Sequence, residues 1–413
     1  MANTLVTPTK IAKEALMQLE NSLVMGNRVH REFKKEFTGG QGSTVSIRKP
    51  VKFYTADGAT RVNQDAEEKT TSIAVDQRKH VSWKFSTQDL TLSIEEYSER
   101  YIKPAMITLA NTVDKSLHGL YTNVWNAVGT PGTTPSTFAH VAAAAQRMDE
   151  MAVGADNRSM ILNPAAGYGV AGNQLTLDSV GAMGKSAYEE AAIGRIAKFA
   201  TFGTQNVQSH TVGVATGTPL VNGGSQNVTY ANATGANSQS LITDGWTNST
   251  TGILKAGDVF TIAGVYAVNP VPGEGTTGKT VMPYLQQFAV LADANSGATT
   301  GPATLTISPA IITSGPYQTV DAAPADNAAI TVMGTGATAY PQNLGFHKNA
   351  FALVTVPLEM PDGAAFKARE SHNGLSVRVV KDYDIDADED IIRLDILYGR
   401  KAIYPDLAAR LFG

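Results

Sequence analysis

The chain of 413 residues contains no cysteine. Disulfide staples, thiolate metal sites and thiol nucleophiles are excluded together. There is no run of eighteen apolar residues, so no helical membrane span is expected. The first residues, MANTLVTPTK, lack the basic start and apolar core of a secretory signal. Synthesis and use in a cytoplasm, or in a particle assembled there, is the expectation. A large excess of one charge is missing too, the formal net charge being −4. A protein whose main work is electrostatic capture of nucleic acid would carry a strong positive balance. The seven histidines stand apart, without H-E-x-x-H or similar ligand spacing, and no G-x-S-x-G elbow occurs. No catalytic residue, metal site or cofactor is expected.

Arginine is missing from one long stretch, residues 213–345. Its charged residues are Asp244, Lys255, Asp258, Glu274, Lys279, Asp293, Asp321 and Asp326. Six acids against two lysines give −4, the whole net charge, so the rest of the chain is balanced. Short β patterns recur at 258–268 (DVFTIAGVYAV), 285–291 (LQQFAVL), 303–312 (ATLTISPAII) and 329–333. Short strands parted by turn residues indicate an all-β barrel or sandwich. Charge-rich, helix-bearing sequence resumes after it, so the segment reads as an insertion.

What is present elsewhere is organised around Thr91 to Asn126. Ser93 followed by Glu96 is a capping-box pattern. Pro104 then ends that turn and suits the first position of a new helix. Met106, Leu109, Ala110, Val113, Leu117, Leu120, Tyr121, Val124 and Trp125 follow at three-and-four spacing. That is one buried stripe on a helix of roughly 34 Å, a spine on which sheets can hang. Gly129 and Pro131-Gly132 stop it.

The other segments are read by period. Residues 1–40 form an arm whose helix starts at Thr7-Pro8, with Ile11, Ala12, Ala15, Leu16, Leu19 and Leu23 on one face. Its basic end includes Arg31, Lys34 and Lys35, either a solvated face or a contact with an acidic partner. Residues 41–90 alternate: Val45 and Ile47, then Ile73, Val75, Val81, Trp83 and Phe85. Two long strands around a polar tip with Asp65, Glu67, Glu68 and Lys69 form an extended hairpin. A lone hairpin cannot bury both faces, so it is expected to lie across a neighbouring subunit. Residues 133–212 read as a compact α/β piece, with a helix from Phe138 whose buried side holds Phe138, Val141, Ala145 and Met148. Residues 346–374 return to that piece. In 375–413, two alternating strands, Leu375–Tyr383 and Asp390–Tyr398, flank an acidic turn.

Two motifs suggest chemistry. Gly273 to Thr280, GEGTTGKT, matches the phosphate-cradling G-x-x-x-x-G-K-T pattern, in which Lys279 would reach phosphates and Thr280 a magnesium ion. That loop requires a helix after the lysine, and Pro283 with a strand-like run argues for a hairpin loop. DYDIDADED resembles the start of a calcium loop, but Glu389 stands where glycine is needed and Asp395 where glutamate is. A surface turn is the expectation.

The order of parts, with IAKEALMQLENSLVMGNRVHREF, GSTVSIRKP, LTLSIEEYSERYIKPAMITLANTVD, IGRIAKFATFGTQNV and VRVVKDYDIDADEDIIRLDILYGRKAIYP, resembles the major capsid (coat) proteins of tailed bacteriophages. The likeness is nearest to coat proteins of Salmonella short-tailed phages, which carry a β-barrel insertion domain. It implies an α+β, Hong Kong 97-type capsid fold. Residues 1–40 would be the N-arm, 41–90 the E-loop hairpin and 91–132 the spine helix of a peripheral (P) domain. Residues 133–212 and 346–374 would form an axial (A) domain around an inserted barrel at 213–345, with 375–413 returning to the P domain. It implies hexamers and pentamers of one chain closing an icosahedral shell in the bacterial cytoplasm around double-stranded DNA, held without sequence specificity. A separate scaffolding protein, a portal protein and optionally a decoration protein are the implied partners, and no membrane is. A nucleotide-binding enzyme using Gly273–Thr280 and a non-viral encapsulating shell protein stay open as alternatives.

Overall fold

The computed structural model describes residues 8–32, 44–64, 66, 68–86, 98–177, 193–230, 237–271, 273–364 and 366–413. The chain runs through helix α1 (Pro8–Ser22), strands β1 (Thr44–Lys49), β2 (Lys69–Ala74) and β3 (Gln77–Ser86), and helix α2 (Lys103–His118). Next come β4 (Ala127–Val128), α3 (Phe138–Glu150), β5 (Arg158–Leu162), α4 (Pro164–Leu177), β6 (Arg195–Ile196), β7 (Phe199–Gly203) and β8 (Ser209–Thr211). Six strands follow: β9 (Gly217–Val221), β10 (Gln239–Trp246), β11 (Val259–Val268), β12 (Val281–Val290), β13 (Ala303–Ser308) and β14 (Ile330–Val332). The chain ends with β15 (Ala339–Pro341), β16 (Asn343–His347), β17 (Phe351–Thr355), β18 (Phe366–His372), β19 (Leu375–Asp384), β20 (Glu389–Ala402) and β21 (Ala408–Leu411). It divides into two compact units, one of residues 1–46, 72–118 and 351–401, the other of 47–71, 119–350 and 402–413.

In the first unit, α1 and α2 pack together, and α1 covers β18 and β19 of the sheet β17-β20-β19-β18. The apolar spacing of α1 holds: Ile11, Ala12, Ala15, Leu16, Leu19 and Leu23 are all buried. So are Met106, Leu109, Ala110, Val113 and Leu117 of α2, which packs against α1 and β3, and Val377, Val379, Leu394 and Ile396 of the sheet are buried as well. The helix is shorter than its sequence pattern predicts. It ends at His118, and Gly119–Asn123 tightens into a 3₁₀ turn. Gly119 accounts for the break, since glycine costs about 1 kcal/mol in a helix interior. Ser93 and Glu96 lie outside the described residues, and a π turn at Ser98–Ile102 leads into α2. A second departure concerns the hairpin. Its return run breaks after Ala74: β2 pairs β1, whereas β3 joins β20 from Gln77↔Tyr398 to Ser86↔Glu389. The six-residue β1 is too short to occupy both, and β20 offers β3 a ten-residue ladder.

Asp114 is an acid on the buried stripe that helical spacing alone does not explain. Its carboxylate accepts from Val24 N at 2.6 Å and Gly26 N at 2.9 Å, fastening the turn after α1 to α2. Burial pushes this carboxyl up, opposed by the backbone N–H groups of Val24, Gly26 and Met25.

The second unit contains two six-stranded sheets. One, ordered β4-β21-β16-β5-β7-β6, pairs β5 with β7 and β21 with β4 in parallel. Parallel β5 and β7 require a crossover, and α4 supplies part of it. Sequence reading passed over α4 because of its glycines. Pro164 opens it, and Asn163 Oδ1 caps it by accepting from Ala166 N at 3.1 Å. Val141, Ala145 and Met148 of α3 are buried with Met160, Leu162, Val170 and Phe199, but Phe138 is 50% exposed, against expectation. As the first residue of the helix it lies outside the turn that faces the sheet.

The other sheet is antiparallel, in the order β14-β11-β12-β13-β10-β9. Its first and last strands meet through the bridge Leu220↔Ala329, with Val221 N donating to Ala328 O at 3.0 Å. Alternation selects the enclosed side: Leu241 of β10 and Leu305 and Ile307 of β13 are buried, whereas Ile242, Thr304 and Thr306 between them are not. Trp246, Phe260, Ile262, Phe288 and Val290 complete this core. β9 and β10 were not foreseen from sequence. The terminal run 408–411 is β21, bonded to β16 and β4 in the second unit, apart from the β19–β20 pair with which sequence reading grouped it.

Candidate functional site

The side chains singled out by sequence fall into three groups. At the hairpin tip, Glu68 pairs with Arg48 of β1 at 3.2 Å, both exposed. Asp65 and Glu67 lie outside the described residues, as do Lys34 and Lys35, and the side chain of Lys69 is not described. Arg31 turns inward, donating to Asn27 Oδ1 at 3.1 Å, and burial lowers its pKa against the opposing charge of Glu20.

The loop 273–280 does not cradle an anion. It runs directly into strand β12, so no helix begins at its lysine. Gly275 N, a donor that a phosphate would need, bonds Thr55 O at 2.8 Å, and Thr55 N bonds Gly273 O at 3.3 Å. A methyl group at Gly278 would collide with the Glu274 carbonyl, so this glycine serves a tight turn. Lys279 Nζ donates to Pro316 O and Gln318 O, both at 3.0 Å. Burial and then the charge of Lys52 push Lys279 down to about 8. Lys279→Met is expected to leave nucleotide affinity by calorimetry as negligible as in the parent. Orphaning two carbonyls should cost about 1–3 kcal/mol in a urea titration.

The acidic run 382–390 is engaged within its own sheet. Asp386 N donates to Asp384 Oδ1 at 3.0 Å, Tyr383 Oη to Asp388 Oδ1 at 2.7 Å, and Lys381 pairs Asp390 at 3.0 Å. Asp395, the would-be last calcium ligand, instead binds Arg378 at 2.6 Å and Arg393 at 2.8 Å, with Arg78 at 3.7 Å. Burial pushes its carboxyl up, but the hydrogen bonds and charges of Arg378 and Arg393 outweigh this and hold it below its ordinary value. A depressed carboxyl contributes stability above its unfolded pKa of about 3.9, and loses it as pH falls through the folded value. Urea midpoints should therefore fall as pH drops below about 4 and go on falling through the lower folded pKa, and Asp395→Asn should flatten that slope.

A cluster that sequence reading missed lies buried in the second unit. Tyr121 Oη meets His210 Nδ1 at 3.1 Å, and His210 Nε2 meets Asp258 Oδ1 at 2.7 Å. Asp258 Oδ2 accepts from Lys255 N at 2.7 Å and Gly213 N at 3.0 Å. Arg410 of β21 donates to Gly257 O at 2.6 Å and Gln342 Oε1 at 3.3 Å, its guanidinium 5.2 Å from the Tyr121 ring centre. Burial pushes Arg410 down to about 10, opposed by Tyr121 and Asp258, so it stays charged at neutral pH. Beside it, Gln287 of β12 acts like a peptide group: Ala127 N donates to its Oε1 and its Nε2 to Ala127 O, both at 2.8 Å. Arg147 of α3 lies 3.7 Å over the Tyr284 ring, also of β12. These bonds tie the closed antiparallel sheet to the mixed sheet and the turn after α2. The available signal was one charged residue, Arg410, inside the apolar end LAARLF.

The cluster is thus a structural joint within the second unit. In comparison with known proteins, the family model described as P22 coat protein, gene protein 5, matches residues 1–413. The chain belongs to the P22 coat protein family. As a member of that family it is a coat protein, a structural component of a phage particle. It is 24% identical over 428 residues to the major capsid protein of Acyrthosiphon pisum secondary endosymbiont phage 1, covering 100% of both chains. A solved structure from Mycobacterium phage Che8 matches with a TM-score of 0.46 and 13% identity, over 94% of this coat protein and 90% of that chain. The capsid structure of cyanophage P-SCSP1u matches with a TM-score of 0.43 and 12% identity, over 91% and 84%.

Proposed function

We propose that this coat protein is the major shell-forming subunit of a tailed phage, assembling as hexamers and pentamers into an icosahedral shell around double-stranded DNA. Family membership across all 413 residues carries the reading. The Hong Kong 97-type arrangement gives each part a role. The unit of α1, α2 and the β18–β20 sheet is the P domain with its N-arm. The mixed sheet with α3 and α4 is the A domain. The closed six-stranded sheet within 213–345 is the inserted barrel, fastened by the Asp258 and Gln287 bonds. Scaffolding and portal proteins are the assembly partners in the bacterial cytoplasm, a decoration protein an optional one. DNA is enclosed without sequence readout, in keeping with the balanced charge outside 213–345.

Electron microscopy of the protein co-expressed with its scaffolding protein is the test. Closed shells of uniform diameter support the reading; protein that stays dispersed overturns it. The hairpin tip is the inter-subunit contact in this scheme. Reversing Glu67→Lys and Glu68→Lys together should leave the monomer folded by circular dichroism and cut the shell yield several-fold, most strongly at low salt.

A further inference from the structure

The outer face of the first unit's sheet carries an electrostatic imbalance. Arg378, Asp395 and His80 lie in one row across β19, β20 and β3, with Arg369 beside them on β18. Three guanidiniums, those of Arg78, Arg378 and Arg393, converge on the single carboxylate of Asp395, leaving an excess of +2 among the described residues of this cluster. Asp395 is fully buried, yet the side chains of Arg78 and Arg393 remain 49% and 38% exposed. The β18 side of the face is already occupied. Residues 358–361 cross it, their carbonyls accepting from Lys367, Arg369 and Arg378. Among the described residues, the open side is the β3–β20 margin, where Arg78 and Arg393 keep their exposure.

The same sheet ends in the opposite charge. Asp382, Asp384, Asp386, Asp388, Glu389 and Asp390 stand against Lys84 and Lys381, a balance of −4. The turn is pre-organised by the Tyr383–Asp388 and Asp386–Asp384 bonds, and it presents Ile385, 81% exposed, at its apex. Turn and arginine cluster cannot meet within one copy. The Asp384↔Glu389 pair lies six residues along the ladder from Arg378↔Asp395, about 20 Å at strand rise. That exceeds the screening length of about 8 Å in physiological salt.

We propose that the β3–β20 margin, bounded by Arg78 and Arg393, is the seat for the acidic β19–β20 turn of a second copy of this chain. The contact is head to tail, so it repeats from copy to copy and closes where the rotation between copies closes. The proposal rests on the coat-protein reading, because it assumes self-association. An arginine cluster with surplus charge takes a carboxylate in charge-assisted hydrogen bonds, and Ile385 gains cover from water in the same contact.

The absence of cysteine makes the test clean. Ser82→Cys on the margin and Ile385→Cys on the turn are made in separate proteins, mixed one to one under assembly conditions and oxidised. Within one copy these positions are too far apart for a disulfide, which needs α-carbons within about 7 Å. The expected result is a covalent dimer in the mixture, at least tenfold above either protein alone. Arg78→Glu in the first protein should abolish it, and Asp386→Lys in the second should restore it. No mixed dimer, dimers of either protein alone in equal amount, or no effect of the charge swap overturns the seat. Inorganic phosphate that merely competes with the cross-link supports it, whereas phosphate binding without any cross-link shows a free-anion site and overturns it. Shells formed by the cysteine-free parent separate the two readings: with parent shells and no cross-link the seat alone fails.

Discussion

Leu109→Asp is expected to yield no soluble folded protein. Leu109 is 2% exposed on the buried stripe of α2, and its neighbours on that stripe, Met106, Ala110 and Val113, are completely buried. Two losses add. Removing the leucine side chain forfeits about 2–5 kcal/mol of packing, and an unpaired buried carboxylate costs several kcal/mol more. A domain is stable by about 5–15 kcal/mol in total, so the sum is comparable with the whole. Val113→Asp should behave alike. Ile107→Asp is the control on the same helix: Ile107 is 39% exposed, and its change should leave yield and melting nearly untouched. Soluble fraction and circular dichroism decide. A folded Leu109→Asp protein, or an Ile107→Asp protein equally damaged, would contradict the assigned buried face.

Asp258→Ala is expected to destabilise the second unit by about 3 kcal/mol or more, since each buried donor left without its acceptor costs about 1–3 kcal/mol. The carboxylate serves three donors, His210 Nε2, Lys255 N and Gly213 N, and each would be left without its acceptor. Asp258→Asn keeps the shape and one acceptor oxygen, so it should cost less than the alanine. Thermal melting and hydrogen exchange at Gly213 and Lys255 report the effect. Melting of Asp258→Ala within a degree or two of the parent would mean the joint is not held by this cluster.

Local pattern carried much of the fold. The three-and-four spacing of Ile11 to Leu23 and of Met106 to Leu117 marked the helix faces that are buried, because a helix without tertiary support must bury one stripe. Period-two runs marked β11, β13, β19 and β20 for the same reason in a strand. Where the reading failed, a non-local partner decided. Val81, Trp83 and Phe85 alternate equally well in a hairpin or beside β20, and only the longer ladder of β20 settles the choice. The GEGTTGKT match was undone by a partner 37 residues away, the Pro316 carbonyl that holds Lys279.

The sequence by itself determined the α+β class, the absence of disulfide chemistry, the scarcity of charged residues in 213–345 and, through the order of its segments, the likeness to phage coat proteins. These follow from composition and period, which need no knowledge of what lies across the fold. Only the tertiary structure decided that Asp114 holds the turn after α1, that Asp258, His210, Tyr121 and Arg410 form one buried cluster, and that three arginines share Asp395. A buried polar group is tolerated only with its partners in place. In this chain the Val24 N–H bonded to Asp114 lies 90 residues away along the sequence, and the Gly257 carbonyl bonded to Arg410 lies 153 away. Periodicity within one element contains no record of such pairings, so their roles become visible only when the chain is folded.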